Sequence, residues 1–65
     1  MIIFINNWSH EIVKGSTLKQ ALLVFGAEPP YAILVNEVFL PQSEYEHFVL
    51  TPNDRIEVIS AIQGG

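Results

Sequence analysis

No cysteine occurs anywhere in the 65 residues, so neither a disulfide nor a thiolate-held metal can brace the fold. Charge is scarce as well: 15% of residues are charged, and the cations are only Lys14, Lys19 and Arg55, scattered along the chain. With a net charge of −4 and no basic cluster, the chain lacks the electrostatic footprint of a nucleic-acid binder. An acidic balance of this size suits solubility and the steering of a basic protein partner. Apolar runs are short. Met1-Ile2-Ile3-Phe4-Ile5 has no cationic lead and breaks at Asn6-Asn7, which predicts neither a signal peptide nor a membrane span. No glycine-rich phosphate loop is present. His10 and His47 lie far apart with no thiol or paired carboxylate beside them, so they read as solvated surface histidines. Glu44 and Glu46 read as solvated charges rather than an acid/base pair. No catalytic residue and no metal ligand is assigned, and the expected setting is soluble and cytoplasmic.

What is present is core material: 49% of residues are apolar, in a chain long enough for one domain that buries about 60% of its unfolded surface. Ile2 to Ile5 is β-branched and aromatic and predicts a strand. Asn6-Asn7 suits a tight turn, with a return strand over Trp8 to Val13 that sets His10 and Ile12 on one side and Glu11 and Val13 on the other. Ser16 stands where a helix N-cap is wanted. Leu18, Ala21, Leu22 and Phe25 then fall on one helical face, and Gly26 can close that helix in the left-handed conformation. Glu28-Pro29-Pro30 cannot continue it. Tyr31 to Val35 predicts a strand, Asn36-Glu37 a turn, and Val38 to Leu40 a short strand that Pro41 ends. Ser43 to His47 has room for one helical turn. Thr51-Pro52-Asn53-Asp54 reads as a turn, and Arg55 to Ile59 alternates as a half-buried strand. The irregular order of strands and one helix predicts an α+β domain, with the first and last strands paired in parallel at the centre of a mixed sheet. Trp8 reads as a lone aromatic capping the sheet end, and Asn36 as a turn residue.

The final residues are Gly64-Gly65, following directly on an apolar strand with no polar linker. A terminal pair of glycines arises by chance in roughly 0.5% of chains at an average usage of about 7%. The order strand, strand, helix, strand, strand resembles the β-grasp fold of ubiquitin and its relatives. A closer resemblance is to the ThiS family of sulfur carriers. It rests on Met1-Ile2-Ile3-Phe4-Ile5-Asn6, Thr17-Leu18 with Ala21-Leu22-Leu23, Val35-Asn36, and Leu40-Pro41 followed by Ser43-Glu44-Tyr45. Above all it rests on the stretch from Asp54 to Gly65. The segment Gly26 to Tyr31, with its Pro-Pro, looks less like the family. Gln42 stands where a basic residue is often found.

The resemblance implies a β-grasp domain over 1–59, a mixed sheet of four to five strands with one main helix across it, and a flexible tail over 60–65. It also implies a carrier rather than an enzyme. A ThiF-like adenylating enzyme would use ATP to activate the carboxylate of Gly65, and sulfur from a persulfide would replace AMP to give a thiocarboxylate. A ThiG-like thiazole synthase would then accept that sulfur in thiamine biosynthesis. No cofactor would be bound by the carrier itself, which would be a monomer when free. Glycine suits the reacting end because a chain without Cβ enters a narrow channel. Extended, Ser60 to Gly65 reaches at most roughly 20 Å at about 3.3–3.6 Å per residue. Fixing it costs about 1–2 kcal/mol per residue, so a body-to-body interface must add affinity. Strand alternation sends Ile2 and Phe4 away from the helix, and likewise Arg55, Glu57 and Ile59. Phe4, Ile59 and Ile62 could therefore form an apolar patch leading into Ala61, Gln63 and Gly64. Three other readings share these features: a sulfur carrier for molybdenum or tungsten cofactor synthesis, a ubiquitin-like modifier joined through Gly65, and a plain interaction module.

Overall fold

In the computed structural model, which describes residues 1–60, five strands and one α-helix form a two-layer body. The strands are β1 (Ile2–Ile5), β2 (Trp8–Glu11), β3 (Tyr31–Val35), β4 (Val38–Leu40) and β5 (Arg55–Ser60), and α1 is Leu18–Phe25. The sheet order is β2-β1-β5-β3-β4. The first and last strands are parallel neighbours, with Phe4 opposite Arg55 and Ile5 opposite Ile56. The other pairs are antiparallel. This is the mixed sheet with a central parallel pair that the sequence predicts.

Both hairpins turn through two residues with positive φ. Asn6 and Asn7 adopt 50° and 70°, and Asn36 and Glu37 adopt 50° and 69°. That geometry follows the twist of the flanking strands, and asparagine tolerates it well. β2 stops at Glu11, two residues short of the expected end. The reason is local: the Val13 carbonyl accepts from both the amide and the hydroxyl of Ser16, at 3.1 and 2.6 Å, which turns the chain away from the sheet.

Thr17, and not Ser16, caps α1. Its backbone is extended, its Oγ1 accepts from the Gln20 amide, and its own amide donates to Gln20 Oε1 at 2.8 Å. This reciprocal pair is a capping box. The remaining early amides also find acceptors. Leu18 donates to the Phe48 carbonyl at 2.8 Å, Lys19 to that of Tyr45 at 3.0 Å, and Ala21 to that of Thr17 at 3.1 Å. The segment around residues 45–50 thus plugs the helix start, where four amides otherwise go unpaired. At the other end Gly26 takes φ 86°, and its amide bonds back to Leu22 and Leu23, closing the helix as expected.

Alternation gives the sheet one buried face. Ile3, Ile5, Ile33, Val35 and Ile56 meet Leu18, Ala21 and Leu22 of the helix, with Tyr45 and Leu50 completing the core. His10 departs from the expectation of a solvated surface residue. It lies opposite Ile3 and therefore points toward the core, its ring edge-on to Phe25 at 5.7 Å, with Nε2 buried and unpartnered. His47 is exposed. Trp8 is 73% exposed, so it caps little of the sheet end. The expected helical turn forms as a short 3-10 helix, Gln42–Glu44.

Candidate functional site

The site begins with the anchoring of β5. Asp54, just before the strand, is buried. Its carboxylate accepts from the Thr51 amide at 2.8 Å, the Thr51 hydroxyl at 3.0 Å and Asn36 Nδ2 at 3.0 Å. Asn36 Oδ1 in turn accepts from the Arg55 amide at 3.0 Å. Asn36 is thus a turn residue, as expected, and also a clamp between the β3–β4 turn and the start of β5. From this clamp β5 runs through the middle of the sheet to the end where the Asn6-Asn7 turn lies and where β3 begins.

At that end the Asn6 side chain bonds both main-chain groups of Val58, accepting from its amide at 2.9 Å and donating to its carbonyl at 3.4 Å. Ser60 faces Tyr31 across the ladder. Tyr31 stacks on Tyr45, with ring centroids 6.1 Å apart and planes at 19°. Burial, and secondarily the neighbouring Tyr31, push the Tyr45 phenol above its ordinary pKa. Beside the pair lies a groove of about 250 Å³ lined by Pro29, Pro30, Tyr31, Gln42 and Tyr45. A larger groove, about 470 Å³, sits at the opposite end of the body between Glu11–Val13 and the Gln20, Ala21 and Val24 side of α1.

The sheet face away from the helix carries the two body residues expected to meet a partner. Phe4 stands opposite Ser9 and Arg55, and Ile59, 51% exposed, stands opposite Ala32. They share the face but are not adjacent, since four residues along β5 separate their levels, about 13 Å, with Arg55 beside Phe4 and Glu57 between. The apolar surface continuous with Ile59 runs instead toward β4: Ala32 beside it, Leu34 diagonal to it, and Phe39 opposite Leu34. Leu34 and Phe39 escaped the sequence reading because Tyr31 to Val35 is apolar throughout, so no alternation marks its outward side. The other expected site residues, Ala61, Ile62, Gln63, Gly64 and Gly65, lie outside the described residues. Among the described residues no three His, Asp or Glu side chains group as metal ligands, and no helix is long and apolar enough to cross a membrane.

The model of the ThiS family matches residues 3–65, nearly the whole chain and its diglycine. The chain belongs to the ThiS family. Among solved structures, a thiamine biosynthesis protein (ThiS) from Geobacter metallireducens superposes with a TM-score of 0.83 over 100% of both chains, at 13% identity. That likeness identifies the fold as the β-grasp. No curated protein matches the chain by sequence. Membership in the ThiS family supports a sulfur-carrier role in thiamine biosynthesis.

Proposed function

We propose that this protein carries sulfur as a thiocarboxylate on Gly65 and performs no catalysis itself. The observation that carries the reading is the family match reaching through Gly64-Gly65, on a chain whose central strand leads directly toward those residues. A carboxylate is a poor electrophile at neutral pH. Attack of its oxygen on the α-phosphorus of ATP releases pyrophosphate and leaves an acyl-adenylate. A persulfide sulfur then adds to the carbonyl carbon and AMP departs. Reductive cleavage of the resulting acyl disulfide by a thiol frees the thiocarboxylate. A ThiF-like adenylating enzyme supplies ATP and persulfide, and a ThiG-like thiazole synthase accepts the sulfur, in the cytoplasm.

The body contributes docking. The strip Ile59, Ala32, Leu34 and Phe39, with Phe4 at the far level of the same face, offers apolar area starting near the end of β5. Such area offsets the entropy of ordering the tail inside a partner. The decisive experiment is intact-mass spectrometry after incubation with the adenylating enzyme, ATP and a persulfide donor. The expected product has one oxygen replaced by sulfur, and it is absent from a chain lacking Gly64-Gly65. Adducts on lysines of other proteins would replace this reading with that of a modifier. Sulfur transfer to a molybdopterin enzyme, with none to thiazole synthase, would move the carrier to the other pathway.

A further inference from the structure

β1 and β5 form the central parallel pair, and β1 runs out first. In parallel pairing the bonds are evenly spaced, and alternate residues of one strand reach both neighbours of the residue opposite. Along this pair Phe4 donates to the Asp54 carbonyl and Asn6 to the Ile56 carbonyl, both at 2.9 Å. The next step would send the Val58 amide to the Asn6 carbonyl and the Trp8 amide to the Val58 carbonyl. Neither bond forms. Asn6 enters the turn at φ 50°, and Trp8 belongs to β2, on the far side of β1 from β5. The Asn6 side chain supplies both groups instead: Oδ1 accepts from the Val58 amide at 2.9 Å, and Nδ2 donates to the Val58 carbonyl at 3.4 Å. A primary amide carries the acceptor and the donor of a peptide group, so this side chain adds one rung to the ladder after the main chain has turned away.

We propose that Asn6 is a positioning residue whose side chain holds the second half of β5, Val58 to Ser60, in line with the sheet and so fixes the direction in which this strand meets a partner. The functional half of this proposal rests on the sulfur-carrier reading; the structural half concerns residues 6 to 60 alone. Without the rung, Val58 to Ser60 keeps only the β3 ladder, on one flank. Backbone freedom gained there must be given up again on docking. The position needs a positive φ and an amide together. Glycine adopts the turn but has no amide. Aspartate tolerates the turn and keeps the acceptor while losing the donor. Asn7, at φ 70° in the same turn, takes no part in the rung and is the internal control.

The test is amide hydrogen exchange on the full chain, read as the ratio of the Val58 rate to the Ile56 rate. Asn6→Gly, Asn6→Asp and Asn7→Gly are compared with the natural sequence. Ile56 lies one rung earlier on the same flank, so a loss of overall stability moves both rates together and leaves the ratio alone. One hydrogen bond lost, at about 1 kcal/mol, raises the ratio about fivefold in Asn6→Gly. Asn6→Asp recovers most of the protection, and Asn7→Gly matches the natural chain. With the adenylating enzyme, at a temperature where every variant is folded, Asn6→Gly raises the KM for the carrier several-fold with kcat held, and Asn7→Gly changes neither. An unchanged ratio in Asn6→Gly, or an equal rise in Asn7→Gly, overturns the proposal. A raised ratio with KM unchanged overturns its functional half. If the ratio rises and the natural chain is never thiocarboxylated, the rung stands and the carrier reading falls.

Discussion

Replacing Asp54 with Ala tests whether the clamp at the start of β5 holds the sheet together. Its carboxylate accepts three hydrogen bonds, two from Thr51 and one from Asn36, while its carbonyl accepts from Phe4 of β1. The substitution removes the three side-chain bonds and leaves the main-chain one. At about 0.5–1.5 kcal/mol each, and more when the acceptor is charged, the loss comes to about 2–4 kcal/mol. A chain of this length has roughly 3–10 kcal/mol in total, so the variant should sit close to the edge of folding. With a urea slope of about 1 kcal/mol/M for a small domain, the midpoint should drop by about 2 M or more. Asp54→Asn should lose most of the same stability, because its amide NH2 turns a donor toward donors. A cycle with Asn36→Ala should show coupling of about 1 kcal/mol, since the two share a bond. A loss below about 0.5 kcal/mol for Asp54→Ala would refute the view that this network anchors the strand.

Glu37 adopts φ 69° in the second hairpin turn, a conformation that costs a side-chain-bearing residue about 1–2 kcal/mol. Glu37→Gly should therefore raise the melting temperature, whereas glycine at most exposed sites lowers it. Thr17→Ala removes one half of the capping box and should cost about 1 kcal/mol in urea denaturation, with Ser16→Ala costing less. Lys19 donates to Glu46 at 2.9 Å, and this bond, then the lysine charge, holds the Glu46 carboxyl below its ordinary pKa. Because the folded pKa is the lower one, the contribution is present above the ordinary glutamate range and is lost as pH falls through the folded value. Both side chains are more than half exposed, so the effect is small and salt-screened. Melting of Glu46→Gln should differ from the natural chain at neutral pH and low salt, and the difference should vanish in acid.

The parts legible in sequence are those where one periodicity acts alone. In β1 and β5 alternation separates core from surface: Ile3, Ile5 and Ile56 are buried and Val58 half-buried, while Ile2, Arg55, Glu57 and Ile59 are exposed. In α1 the spacing of Leu18, Ala21 and Leu22 finds the buried face. Legibility fails where two signals compete. Ser16 and Thr17 are both good caps, and only the Gln20 side chain, three residues on, decides for Thr17. His10 is polar, which argues for solvent, yet its register with Ile3 argues for the core, and register wins because the hairpin turn fixes it. Alternation puts Phe4 and Ile59 on one face, as found, but says nothing about the offset between strands, which sets them at different levels.

Pairing the two ends of a chain at the centre of its sheet has a consequence during synthesis. Asn6 and Val58, which bond each other, are 52 residues apart in sequence, so the middle of the body cannot form until almost every residue is available. Contacts between such distant parts slow folding, and a nascent chain still missing β5 holds two half-sheets with unpaired inner edges. Any premature stop upstream of Arg55 therefore yields a fragment without a centre, and a folded body guarantees that translation has passed Ser60.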